Sequence, residues 1–436
     1  MHQSRTRCRA VALLLGLIVA RLPAAELPRI AVDEAKAAAA GIRRLPPAKR
    51  LLLYTDLPAS PEIDRLPGLF DQAFPQWCEY FHVAQAEHDD WRIVGFLMGD
   101  KARFVRAGLL PERLPPFKNG YSGAGNLWLY DQPNDAYYRR HLLLHEGTHC
   151  FMYTILGGYG PAWYAEGTAE LFGTHRLVDG RLTLGIMPPS REEVPGGGRI
   201  RLIKDAVVAH RAMRLPGILD YPPTAHLEVE PYAWCWGLCV LLDRHPRYRD
   251  RFRELYKDVL RPDFNARMRR RFAADWADLN DEWAVFVTGI EYGYEFERAA
   301  IDFAAGRPCP AGGATVRVAA DRGWQPSGLR LEAGSKYRLT AAGRYQVGAK
   351  PRIWWCEPGG VSLRYYQGRP LGILLAAVRP DPPAAQTSSA FVRPQVVGLA
   401  ATLRPEQSGT LYFKINHSAA ELSGNAGMLE VRVVPK

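Results

Sequence analysis

Apolar residues follow two different rhythms along this chain, and the change of rhythm divides it. From about residue 49 to residue 305, short continuous apolar runs alternate with stretches whose apolar residues recur every three or four positions. Continuous runs of that length bounded by turn residues predict buried strands, and the longer period predicts helices. Strands are expected at 50–55 (RLLLYT), 91–98 and 126–130 (NLWLY), with helices at 61–82 and 101–107. The cluster 120–125 (GYSGAG) reads as a turn, and 126–130 as an edge strand. Further helices are expected at 232–243, 247–260 and 276–287, after a Gly/Pro-rich hairpin and loop at 176–198. At 306–313 (GRPCPAGG) helical periodicity stops. Beyond it come short alternating runs at 315–318, 328–332, 337–339, 361–366, 371–378, 410–415 and 429–433, the spacing of an all-β sandwich.

Between the third strand and the hairpin lies the stretch 141–170, HLLLHEGTHCFMYTILGGYGPAWYAEGTAE. Leu142, Leu143, Leu144, Phe151, Met152 and Ile155 predict a buried helix, ended by Gly157 and Gly158. A second helix is expected from near Trp163, after Gly160-Pro161. On the first helix His145 and His149 stand four apart and therefore on one face, where two imidazoles can grip one metal ion. Glu146 lies at the edge of that face, placed to take a proton from a metal-activated water. A short turn brings the second helix back, so Glu166 can supply a third ligand, and Glu170, one turn on, can accept the free N–H of a liganding histidine. His141 extends the row of histidines, but three protein ligands suffice for a catalytic zinc, and it reads as a buried helix residue.

The pair HEGTH and WYAEGTAEL resembles the gluzincin branch of the zinc metallopeptidases. The resemblance implies an α+β zincin-like metallopeptidase domain over 26–305, a bound Zn2+ with His145, His149 and Glu166 as ligands, and Glu146 as general base. Glu170 stands where some gluzincins carry an aspartate. A metzincin continuation is absent, since position 155 is Ile rather than His. Gluzincins commonly use a tyrosine or histidine from a later helix to stabilise the oxyanion, and Tyr232 is the candidate here, ahead of His226 and His210.

Composition adds a compartment. Arg5, Arg7 and Arg9, the apolar run 10–20, and Ala24 or Ala25 form a secretory signal over 1–25. No other run is long and apolar enough for a transmembrane segment. An exported protein is expected, periplasmic, cell-envelope or extracellular. The signal holds four arginines and no acid, so the formal net charge of +11 leaves +7 beyond it. The run Arg267, Arg269, Arg270 and Arg271 reads as a solvated helix face, and no nucleic-acid partner is expected. Cys78, Cys150, Cys235, Cys239, Cys309 and Cys356 could pair in an oxidising compartment, while Cys235 and Cys239 read equally as two buried thiols.

The tail, through GWQPSGLRLEAGSKYRLTAAGRY and KINHSAAELSGNAGMLEV, resembles the calcium-dependent galactose-binding lectins of bacteria and related jelly-roll modules. It implies a linker at 306–313 and a β-sandwich over 314–436, a carbohydrate-binding-like domain with cell-wall polysaccharide or glycan as partner. The family's Asn-Asp pair is Asn416-His417 here, and Gly424-Asn425 replaces its paired asparagines, which removes two oxygen ligands for calcium. Trp354 and Trp355 are candidates for stacking on a sugar. The expected function is hydrolysis of a peptide or protein substrate. The alternatives are a zinc amidase acting on cell-wall crosslinks, or a glycan-binding protein that keeps the zincin-like part as a scaffold.

Overall fold

The computed structural model describes residues 29–133, 135–194, 198–222, 228–348, 353–383 and 389–436. The expected signal at 1–25 and His226 lie outside the described residues. The chain folds as a mixed α/β N-terminal half rich in helices and a β-rich C-terminal half.

The N-terminal sheet has five strands, β1 (Arg43–Arg44), β2 (Leu51–Thr55), β3 (Ile93–Met98), β4 (Gly120–Gly123) and β5 (Asn126–Tyr130), in the order β1-β2-β3-β5-β4. β2, β3 and β5 run parallel, which explains their continuous apolar sequences: a parallel strand is covered on both faces. The GYSGAG segment is not only a turn. Its first four residues form β4, antiparallel to β5, so the edge of the sheet is β4 and β5 is interior. Glycines hid this strand, because they give no apolar alternation to read.

Helix α1 (Leu66–Tyr80) lies against this sheet. The expected single helix 61–82 is broken at Arg65 into a one-turn helix, Pro61–Asp64, and α1. Helix α2 (Ala136–Ile155) follows β5 directly, capped by Asp135, whose side chain accepts from the Tyr138 amide at 2.8 Å. After Gly157, in the left-handed region at φ 80°, the chain reverses into α3 (Ala162–Gly173). After α3, β6 (His175–Val178) and β7 (Arg181–Leu184) pair as an antiparallel hairpin, and α4 (Arg199–Val208) and α5 (Val229–Arg244) complete the helical layer. α3 and α5 approach so closely that a β-carbon on Gly167 would lie 2.4 Å from Cys239 Sγ. The glycine in AEGTAE is therefore a helix-crossing point, and it presses Glu166 and Glu170 toward α2. Cys235 and Cys239 are free buried thiols on α5, as are Cys78, Cys150 and Cys356 elsewhere, while Cys309 is half-buried and also free. The arginine run is neutralised locally, with Arg267 and Arg271 on Asp258, and Arg267 and Arg270 on Asp263.

In the C-terminal half two open sheets share one apolar core. One joins β8 (Arg307–Pro308), β10 (Gln325–Leu331), β12 (Leu374–Pro380), β13 (Gln395–Val396) and β15 (Gly409–Ile415) in the order β13-β12-β15-β10-β8. The other joins β9 (Ala314–Ala319), β11 (Tyr337–Ala342), β14 (Ala400–Leu403) and β16 (Met428–Pro435) as β14-β11-β16-β9. Leu411, Phe413 and Ile415 of the first sheet meet Leu339, Leu429, Val431 and Val433 of the second in that core. Part of the expected linker is itself structured, since β8 pairs in parallel with β10. The outward face of the first sheet packs on the N-terminal half. Tyr412 and Trp324 join Ile301 there, and Arg379 reaches across to Asp278 at 2.6 Å and Asp281 at 2.7 Å.

Candidate metal centre

α2 presents His145 and His149 on one face, and α3 brings Glu166 over them. Nε2 of His145 and Nε2 of His149 are 3.2 Å apart, and Glu166 Oε2 lies 3.4 Å from each. Ligand atoms about 2.0–2.1 Å from a tetrahedral zinc stand about 3.3–3.4 Å apart. The three atoms thus already form one face of such a tetrahedron.

Chemistry supports the same fit. His145 Nδ1 lies 3.2 Å from Glu170 Oε1; that carboxylate takes the ring's N–H and leaves a lone pair on Nε2. Glu166 Oε2 is buried and accepts no well-formed hydrogen bond from any described residue. Acceptors aimed at one point repel unless positive charge lies between them. The demand for charge also shows in the titration of the ring. Burial works to lower the His145 value, but Glu166 and then Glu170 outweigh it and raise it to about 10. Burial likewise opposes ionisation of Glu166, yet the His149 and His145 rings hold its carboxyl well below the ordinary carboxylate range. These residues fit a divalent cation.

His141, His145 and Glu170 make a second group close enough to share an ion. Its carboxylate already has a cation. Arg199, the first residue of α4, grips Glu170 with Nε on Oε2 at 2.6 Å and a terminal nitrogen on Oε1 at 2.8 Å, and His141 Nε2 lies 3.4 Å from Oε1. Glu170 therefore serves as the orienter of His145 in a hydrogen-bonded network. It orients one ring only. His149 Nδ1 is buried with no hydrogen-bond partner among the described residues. Arg199 escaped sequence reading because 29 residues and a Gly/Pro-rich loop separate it from Glu170.

Glu146 is buried beside His145 and faces β4. A β-carbon on Gly120 would lie 2.6 Å from Glu146 Oε1, so the strand passes directly over the carboxylate because it has no side chain there. Tyr121, next on β4, has its phenol raised by burial and by the Glu146 charge. Tyr232, from the first turns of α5, places its ring 5.9 Å from that of His145 and 5.7 Å from the Arg199 guanidinium. Burial, then the charges of Glu166, Glu146 and Glu170, raise its phenol far above the ordinary value, so it remains a donor. Tyr159 meets the His149 ring edge-on at 5.6 Å. His210 is exposed at the end of α4. His175 engages both ring nitrogens, with the Gly173 carbonyl at 2.8 Å and Arg140 at 3.1 Å, and takes no part in the centre.

The tail positions of the lectin motif have structural duties. Asn416 Nδ2 donates to the carbonyls of Tyr366, Arg369 and Pro370, and Asn425 links the Gly348 amide at 2.9 Å to the Ala320 carbonyl at 3.0 Å.

No family model matches the chain, and no curated protein matches it. Among solved structures it is similar to the N-terminal domain of EclA, described as a PllA-like lectin. The match has 18% identity, covers 28% of this chain and 95% of that chain, and has a TM-score of 0.21, so no residue here takes a role from it.

Proposed function

We propose that the chain is an exported zinc-dependent metallopeptidase with a zincin-like N-terminal half, in which His145, His149 and Glu166 hold the metal. The observation that carries this reading is the 3.2, 3.4 and 3.4 Å triangle of acceptor atoms with a buried carboxylate, Glu146, next to one of them. When bound, zinc supplies Lewis-acid chemistry, polarising a carbonyl and activating water at neutral pH. The chain's own residues do the rest. β4 is a sheet edge with unpaired backbone groups, and an extended peptide can add to it as a further strand, which brings its backbone over Glu146. Glu146 takes the proton from the attacking water and returns it to the departing amine. Tyr232, held protonated, donates to the oxyanion of the tetrahedral intermediate. Glu170, fixed by Arg199, keeps His145 in the tautomer that offers Nε2.

The test is metal content together with cleavage of a mixed peptide library by wild type, Glu146→Gln and Glu166→Ala. Stoichiometric zinc in wild type and Glu146→Gln, cleavage in wild type alone, and loss of most zinc in Glu166→Ala are expected. Zinc-loaded wild type that cuts cell-wall crosslinks but no peptide would move the reading to an amidase. Wild type without zinc would overturn it.

A further inference from the structure

The two halves of the chain differ sharply in charge. Residues 314–436 hold 16 Lys and Arg against 7 Asp and Glu, a formal +9, so of the +7 beyond the expected signal, residues 26–313 carry −2. The basic half also exposes large apolar side chains, at Val396, Leu399 and Met428 and, more densely, on two adjoining ribbons. A two-stranded ribbon pairs Tyr345–Val347 with Trp354–Cys356, and a second pairs Val361–Tyr366 with Arg369–Leu371. They adjoin at Cys356, whose Sγ lies 3.9 Å from the Leu371 carbonyl. On these ribbons, and just before the first pair's second strand, Ile353, Trp355, Leu363 and Tyr365 are 52%, 57%, 81% and 60% exposed. Single exposed apolar residues are ordinary; four large ones within thirteen residues of a folded module are not.

Their setting indicates what covers them. The Arg344 guanidinium lies 5.2 Å over the Trp355 ring, and neither Arg344 nor Arg369 has a carboxylate within ion-pair distance among the described residues. Gln367, at the end of the second ribbon, donates to the Thr288 carbonyl at 3.0 Å and moors this tip to the N-terminal half. Tyr365, one residue from the half-buried Tyr366, projects to the opposite face of the strand. We propose that this aromatic, aliphatic and arginine tip docks the protein on an anionic phospholipid surface. The aliphatic members decide against a hydrated polyanion such as an acidic polysaccharide. Leu363 and Ile353 gain nothing there, whereas the acyl boundary of a bilayer removes them from water and its headgroups pair with the arginines. The inference does not depend on the metal centre.

The experiment is co-sedimentation of the full chain with vesicles of phosphatidylcholine, alone or with about one third phosphatidylglycerol. Wild type, Leu363→Ser/Tyr365→Ser and Arg344→Gln/Arg369→Gln are compared at low and high salt. All carry the apolar N-terminal run, so differences among them report the tip. The anionic vesicles are expected to bind wild type. The Ser pair should weaken partitioning about tenfold or more, and each lost arginine about fivefold at low salt. Circular dichroism and zinc content should not change. Equal binding to both vesicle types, equal binding by all three proteins, or retention on polygalacturonate but not on vesicles would each overturn the proposal.

Discussion

Replacing Glu170 by glutamine keeps the volume of the side chain and removes the charge that three neighbours share. The carboxylate is 1% exposed, accepts two hydrogen bonds from Arg199, and lies 3.2 Å from His145 Nδ1 and 3.4 Å from His141 Nε2. Two losses follow, of different size. Orienting partners of metal-bound histidines are worth about 10- to 100-fold in affinity, or about 1.4–2.7 kcal/mol. Breaking a buried ion pair from one side costs about 3–5 kcal/mol of folding stability, because the remaining charge is left without compensation. Arg199 keeps a side-chain exposure of 18%, and the amide oxygen still accepts one bond, so about 3 kcal/mol is expected for Glu170→Gln. Arg199→Gln should cost less, since the stranded carboxylate keeps both histidines. The pair in contact should couple, with the double variant less destabilised than the sum of the singles by about 1 kcal/mol or more.

The assay separates the two losses. Zinc affinity is measured by chelator competition under conditions where near-UV circular dichroism shows each variant folded, and stability by urea denaturation. Glu170→Gln that binds zinc as tightly as wild type, while Glu166→Ala does not bind it, would refute the assignment of Glu170 as the orienter of His145. Full additivity of Glu170→Gln and Arg199→Gln would refute the shared network.

Two further outcomes test the site and the interface between the halves. Gly120→Ala puts a β-carbon 2.6 Å from Glu146 Oε1 and must displace either the base or β4; a displacement of that order costs about 100-fold in kcat with zinc content intact, and unchanged kcat would mean Glu146 is not the base. Lys414, between the halves and over the Trp324 ring at 5.7 Å, is pushed down to about 8, first by burial and then by Arg369. Because the folded chain binds fewer protons than the unfolded one from about pH 8 to the ordinary lysine value near 10.4, stability rises with pH through that window. Lys414→Met should therefore stabilise the chain most at pH values below about 8 and lose its advantage toward about pH 10, as read by urea denaturation; a pH-independent gain would refute the cause.

What the residues disclosed in advance was what lies close in sequence. His145, Glu146 and His149 fall within one and a half turns of one helix, so helical geometry alone places them together. Glu166 was legible because one short turn joins its helix to theirs. Arg199 was not, because its place over Glu170 is set by how α4 packs after a long loop, and nothing in its own neighbourhood marks it. β4 was misread for a different reason: the absence of a side chain at Gly120 that lets it pass over Glu146 also removes the alternation by which strands are recognised. The C-terminal strands were readable from period two, but the ribbon at Tyr345–Val347 and Trp354–Cys356 was missed, since three-residue strands do not establish a period. Exposure of Leu363 was beyond reach for a different reason, because an apolar residue in a strand pattern reads as core until the opposite sheet is located.

The junction between the halves decides whether a surface contact at one end has consequences at the other. Inter-domain contacts of mostly polar character allow relative motion by default. This one is different. Ile301, Trp324, Phe391 and Tyr412 form a buried cluster across it, and Arg379, 9% exposed, is matched by two aspartates of the N-terminal half. Separating the halves would expose that cluster to water and part Arg379 from both its carboxylates. Glu295 adds a second latch, accepting from the Ser423 amide at 3.0 Å, while its own amide donates to Ala419. If the tip docks as proposed, its mooring to the helix that ends at Gly289, on a module clamped in this way, ties that contact to the N-terminal half. On the proposed reading the β-rich half bears on catalysis through position. Among the described residues it contributes no group to the metal centre.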